Sequence, residues 1–152
     1  MAVIKLRALM CGKPAGTLWQ DEGGLPHFRY DEDYQGIPLS LTMPLSNRPY
    51  SQQVVAPCLF GLLPDSETQR RAIAEEFEIR PNNPVALLSH IGLDCPGGVQ
   101  FCPEDRVEEE LHRPAHYEPI DDHAIALRLK NLRTHEDASW MGKSERWSLG
   151  GN

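Results

Sequence analysis

Val3-Ile4-Lys5-Leu6-Arg7-Ala8-Leu9 sets the first element of the fold. Ile4, Leu6 and Ala8 fall on one side of an extended chain and Lys5 and Arg7 on the other, the period-two alternation of a strand with one buried face. Downstream, a glycine-bounded turn over Gly12 to Gly16 leads into Thr17-Leu18-Trp19. Asp21-Glu22-Gly23-Gly24 then supplies turn chemistry before Leu25 to Tyr30, which predicts a hairpin. After Gly36 the run Leu39-Ser40-Leu41-Thr42-Met43 alternates again, a further strand that Pro44 stops. The N-terminal third therefore reads as an antiparallel β meander.

The middle third changes period. Ser66 followed by Gln69 forms a capping box, in which each side chain satisfies a free backbone donor at a helix start. Ala72, Ile73 and Phe77 then recur at helical spacing. Asn83-Pro84 places a cap residue before proline at the first helical position, and Val85, Leu88 and Ile91 form the next stripe, stopped near Gly92. Two short helices are thus expected after the strands. Pro96-Gly97-Gly98 reads as a loop and Val99-Gln100-Phe101 as a returning strand.

Composition shifts beyond this point. Glu104, Asp105, Glu108, Glu109, Glu110, Glu118, Asp121 and Asp122 stand against only Arg106 and Arg113, which reads as a solvated acidic connector. Asp121 or Asp122 caps a third helix with Ile125, Leu129 and Leu132 on one stripe. Lys143 to Leu149 is a strand-like run opening onto Gly150-Gly151-Asn152.

Size and charge exclude several classes. The 152 residues, 40% of them apolar, are enough to build a core without disulfides or metal. No stretch approaches the roughly 20 apolar residues that span a bilayer. Fifteen basic against 22 acidic residues leave a net charge of −7, which disfavours nucleic acid as a direct partner. Cys11, Cys58, Cys95 and Cys102 are too scattered for a secreted disulfide framework, so reduced thiols in a cytoplasmic protein are expected.

Candidate chemistry is sparse. Cys95, Cys102, His112 and His116 can be written as a zinc set, but the spacing matches no cysteine knuckle and Pro114 interrupts the two histidines. Cys58, in an apolar run, suits a core thiol better than a nucleophile, and Glu108-Glu109-Glu110 suits a solvated face better than acid/base catalysis. The terminal Ser148-Leu149-Gly150-Gly151-Asn152 differs in kind, because paired glycines after a strand let backbone N–H groups approach a phosphate.

Four segments together resemble the N-terminal subdomain of HipA-type toxins: Phe28-Arg29-Tyr30 with Leu39 to Leu45, Leu59-Phe60-Gly61-Leu62-Leu63-Pro64-Asp65, and Leu87 to Phe101. Their order and spacing fit over residues 3 to 103. The resemblance implies an α+β fold in which the meander and short packed helices occupy 1–103. An acidic connector then covers 104–120, and a helix plus the first strand of a kinase-like lobe covers 121–152. HipA-like proteins resemble serine/threonine kinases of bacterial toxin–antitoxin modules, neutralised by HipB, a small helix-turn-helix protein that binds operator DNA.

In that family a serine-bearing strand leads into a glycine loop over the ATP phosphates, of the form Ser-x-x-Gly-x-Gln-x-Lys. Ser148 accordingly resembles the autophosphorylated serine, and Gly150, Gly151 and Asn152 the start of the ATP loop, with Asn152 where glutamine is common. The family's phosphotransfer lysine, aspartate and metal-binding residues lie beyond this loop, so the 152 residues alone are expected to be inactive and to need no cofactor, ATP and magnesium belonging to the parent kinase. The resemblance implies an accessory lobe whose partners are the remainder of the kinase, a HipB-like antitoxin, DNA only through that antitoxin, and a protein substrate such as an aminoacyl-tRNA synthetase. Two other readings stand beside it: a free-standing subunit that restrains a separate HipA-like kinase, and an unrelated α+β interaction domain.

Overall fold

The computed structural model describes residues 4–114, 117 and 119–134. Four strands form one antiparallel sheet: β1 (Lys5–Met10), β2 (Lys13–Gln20), β3 (Pro26–Tyr30) and β4 (Val99–Cys102), in the order β3-β2-β1-β4. Three helices, α1 (Gln52–Phe60), α2 (Glu67–Glu76) and α3 (Pro84–Ile91), lie between β3 and β4 in sequence. A short α4 (Val107–Leu111) and the longer α5 (Asp122–Thr134) follow. The α+β class with a meander and short packed helices is as expected.

Alternation builds the core face of the sheet. Leu6 pairs with Leu18 and Leu18 with Phe28, while Ala8 sits between Gly16 and Phe101, with Tyr30 beyond Gly16. All but the glycine are at most 3% exposed, and each large apolar side chain so buried contributes about 1.5–3 kcal/mol. The helices complete the core from one side. α3 contributes Val85, Leu87, Leu88 and Ile91, and α1 contributes Val55 and Leu59.

Local chemistry explains the element ends. The Asp21 carboxylate accepts from the Leu25 amide at 2.9 Å, closing the β2–β3 turn. Ser66 accepts from the Gln69 amide at the start of α2, and Asn83 Oδ1 accepts from the Ala86 amide at 3.0 Å at the start of α3. Asn83 Nδ2 also donates to Gln20 Oε1 at 3.0 Å, so the same side chain that caps α3 ties it to the end of β2. Asp121 caps α5 by accepting from the Ala124 amide at 2.7 Å.

Four expectations are corrected. The first turn is not Gly12 to Gly16 but Cys11-Gly12, both at positive φ (51° and 73°), the two-residue loop whose twist suits a hairpin. Gly16 lies inside β2, where a Cβ would meet the Arg29 carbonyl at 2.3 Å and the Phe28 ring at 2.7 Å; its glycine serves a close approach. Leu39 to Met43 is not a strand: Ser40 and Met43 close a tight turn instead. Three helices, not two, separate β3 from β4, because Pro57 inside α1 and the uniformly apolar Val54-Val55-Ala56 disguise its period.

The fourth concerns the acidic segment. Glu104–Arg106 is a 3₁₀ turn leading directly into α4, and the Glu110 side chain is 1% exposed. Arg106 Nη2 donates to Glu110 Oε1 at 2.8 Å and Arg113 lies 3.6 Å from Oε2, so this carboxylate is a buried anchor, not part of a solvated face. In α5, Leu129 and Leu132 remain 50% and 39% exposed, and the helix has no buried residue.

Candidate docking surface

The segment after β3 is held by three tyrosines. Phe28 and Tyr50 exchange both backbone hydrogen bonds, at 3.1 and 2.7 Å, closing the loop at its base. Within it the Tyr30 hydroxyl, buried to 3% exposure, donates to the Met43 carbonyl at 2.7 Å and accepts from the Leu39 amide at 2.9 Å. Tyr34 donates to the Ile37 carbonyl at 2.8 Å, and Tyr50 donates to the Pro44 carbonyl. The rings pack on one another, Tyr34 stacked on Tyr30 at 5.8 Å and Phe28 edge-on to Tyr30 at 4.8 Å. Burial pushes the Tyr30 hydroxyl up to about 12, so it stays a donor at any physiological pH.

What this framework presents is apolar and outward. Met43 is buried beneath the turn at 1% exposure, whereas Leu41 at its tip is 97% exposed, Ile37 64% and Leu45 42%. The turn lies over α1: a hydrogen bond from Ser40 partly offsets the desolvation that raises the Cys58 thiol. Sequence reasoning missed this surface, although a signal was present. From Tyr34 to Pro64 the chain carries a single charged residue, Arg48, in a protein that is 24% charged. Depletion of charge with retention of aromatic and aliphatic side chains is the composition of an interface core.

Elsewhere the sheet's other face carries a polar network beside the buried Cys102, which pairs with Arg7. Arg7 donates to both Asp31 carboxylate oxygens, at 3.0 and 2.5 Å, and to Thr17 Oγ1 at 2.8 Å. Trp19 stacks on His27, whose imidazole holds the exposed Asp21 carboxyl below its usual range. A cleft of about 350 Å³ lies between Leu62-Leu63-Pro64-Asp65 and Pro96. Arg70 shapes that segment by donating to the Pro64 and Asp65 carbonyls.

The sequence-nominated site residues fare differently. Ser148, Gly150, Gly151 and Asn152 lie outside the described residues, as do His116 and the expected first strand of a kinase-like lobe. Burial pushes the Cys95 thiol up to about 12 and raises Cys102 as well, so both keep their protons and suit the core better than nucleophilic chemistry. Among the described residues no group of three or more His, Cys, Asp or Glu is placed to hold a metal ion. Among the same residues no helix is long and apolar enough to cross a membrane.

A four-stranded sheet with α1 and α3 packed on its core face and a tyrosine-braced loop whose tip is free of charge define an α+β domain whose distinctive surface suits protein contact. The chain belongs to the HipA N-terminal domain family, which matches residues 6–102. It is 36% identical over 143 residues to the Sinorhizobium fredii protein named "Putative kinase Y4mE", covering 88% of this chain and 33% of that one. It is 30% identical over 117 residues to the serine/threonine-protein kinase toxin HipA of Shewanella oneidensis, covering 77% of this chain and 26% of that one. An uncharacterized protein of Haemophilus influenzae is 37% identical over 95 residues, which is 62% of this chain but 88% of the relative. Among solved structures, the complex of the Shewanella toxin HipA with HipB and operator DNA matches with a TM-score of 0.66 at 25% identity, over 94% of this chain and 31% of that one. The chain thus spans a third or less of both kinase relatives.

Proposed function

We propose that this chain is the N-terminal accessory portion of a HipA-like serine/threonine kinase of a toxin–antitoxin system. The observation that carries the reading is the alignment of 88% of the chain with 33% of a kinase-named relative, which is therefore more than twice as long. In this reading phosphoryl transfer to a protein substrate, an aminoacyl-tRNA synthetase being one candidate, belongs to the remainder of the kinase. This portion shapes that remainder and its contacts with a HipB-like antitoxin, through which alone DNA is engaged. The system works in the cytoplasm.

Ser148, Gly150, Gly151 and Asn152 begin the ATP loop in this reading. ATP with magnesium supplies the phosphoryl group. The backbone N–H groups of the paired glycines approach its phosphates, since no side chain bars them. Phosphorylation of Ser148 adds roughly −2 charge and expels the loop from the nucleotide site, switching the kinase off. The test is incubation of the intact gene product with ATP and magnesium, followed by mass spectrometry. Phosphate on Ser148, lost in Ser148→Ala, is the expected result; a kinase that modifies other proteins while Ser148 stays bare refutes the assignment.

The Haemophilus relative favours a second reading. Because the alignment takes in 88% of that protein, the domain also occurs nearly by itself, in keeping with a separate subunit that restrains a kinase. Reading the gene beyond Asn152 decides between the two: continuous kinase sequence supports the accessory portion, a stop followed by a separate kinase gene the subunit.

A further inference from the structure

The loop tip formed by Ile37, Leu41 and Leu45 has no structural role that the domain itself explains. Leu41 at 97% exposure packs on nothing, yet the backbone on either side is fixed by the Tyr30 and Tyr34 hydroxyls and by the Ser40–Met43 turn. A leucine held rigidly in solvent keeps the cost of exposing apolar surface while forgoing the freedom that would soften it. Binding such a preorganised anchor loses little conformational entropy, which is the property of an interface hot spot.

The occupant follows from charge and from the length of the relatives. Between Tyr34 and Pro64 only Arg48 is charged, so this surface offers little to nucleic acid, whose binding rests on multiple cationic contacts. An uncharged apolar tip fits a dry, permanent contact, the kind made between parts that stay together. Two thirds of the Sinorhizobium relative lies outside the aligned part, and that remainder is the surface always at hand.

We propose that Leu41, flanked by Ile37 and Leu45, is the anchor by which this domain seats in an apolar depression on the remainder of a HipA-like kinase. The proposal rests on the functional reading above, whichever of its two forms holds, and specifies the face used.

The test places a photo-crosslinking benzoylphenylalanine at position 41 of the intact gene product, or of the chain co-expressed with its neighbouring kinase, and maps the adduct by mass spectrometry. An adduct in the kinase portion is expected. An adduct in a second copy of this chain, in the antitoxin, or none at all overturns the proposal. Leu41→Asp is the companion variant. In the 152-residue chain its melting temperature should match the parent, since nothing touches the side chain. In the kinase-containing protein it should speed amide hydrogen exchange over residues 37–45 about tenfold or more, a fold-change typical of losing an interface anchor. Unchanged exchange there counts against the anchor. If neither the gene nor the co-purified material contains a kinase, the functional reading fails; if a working kinase is present but position 41 stays free, only the docking face fails.

Discussion

The Tyr30 hydroxyl and the Met43 carbonyl meet at 2.7 Å in the protein interior, though they stand thirteen positions apart in the chain. The same oxygen accepts from the Leu39 amide, so one phenol fixes both flanks of the turn that carries Leu41. Removing the hydroxyl leaves a buried carbonyl and an amide without this partner. Tyr30→Phe is expected to destabilise the domain by about 1–3 kcal/mol, read as a lower urea midpoint at constant slope.

The same phenol predicts an alkaline limit. Its ionisation lies near 12 in the folded chain, above the ordinary value of 10.0. A proton held more tightly in the folded state gives stability that is complete below the unfolded value and disappears as pH rises through the folded one. Denaturation midpoints should therefore fall between about pH 10 and pH 12, less steeply in Tyr30→Phe than in the parent.

Arg7 and Asp31 form a two-pronged pair whose side chains are 17% and 28% exposed. Asp31→Asn should cost about 1–3 kcal/mol, because the guanidinium loses a charge-assisted partner in a partly dry setting. A double-mutant cycle with Arg7→Met should return a coupling above about 0.5 kcal/mol; additive losses would contradict the pairing.

Asn83 serves α3 and β2 at once through its two side-chain atoms. Asn83→Ala is expected to exceed the roughly 1 kcal/mol of a simple cap, since Gln20 Oε1 also loses this donor. Asn83→Ser keeps a capping oxygen and should recover part of the loss in the same melt.

Gly16 admits no side chain. A Cβ there would lie 2.3 Å from the Arg29 carbonyl, which is backbone and cannot step aside without parting β2 from β3. Gly16→Ala should lower thermal stability by several degrees, the shift that about 1–3 kcal/mol of overpacking produces in a domain of this size.

The strands of the sheet were legible because each buries one face, so Leu6, Ala8, Leu18 and Phe28 advertise it by alternation. The caps at Ser66, Asn83 and Asp121 were legible because they are local chemistry. The turn at Ser40 to Met43 was not, since its alternating residues also fit a strand and the hydroxyl that bends it comes from Tyr30, outside the window. α1 hid for a different reason: apolar residues all round one stretch leave no stripe to detect, and Pro57 argues against a helix on its face. Glu110 reads as surface in a run of acids; only the placement of Arg106 and Arg113 against it makes burial tolerable. As for the docking surface, its residues stand out as family motifs, while their outward direction is set by tertiary hydrogen bonds from Tyr30 that no local pattern encodes.

β1 lies between β2, which follows at once, and β4, whose Phe101 and Cys102 arrive more than ninety positions later to pair with Ala8 and Arg7. The first strand made by the ribosome therefore has one edge unsatisfied until Cys102 has emerged. At about 5–20 residues per second that wait is on the order of 5–20 s, long enough for an open sheet edge to seek other partners. Birth order thus builds in a period of vulnerability, and it ends only when β4 arrives to close the sheet.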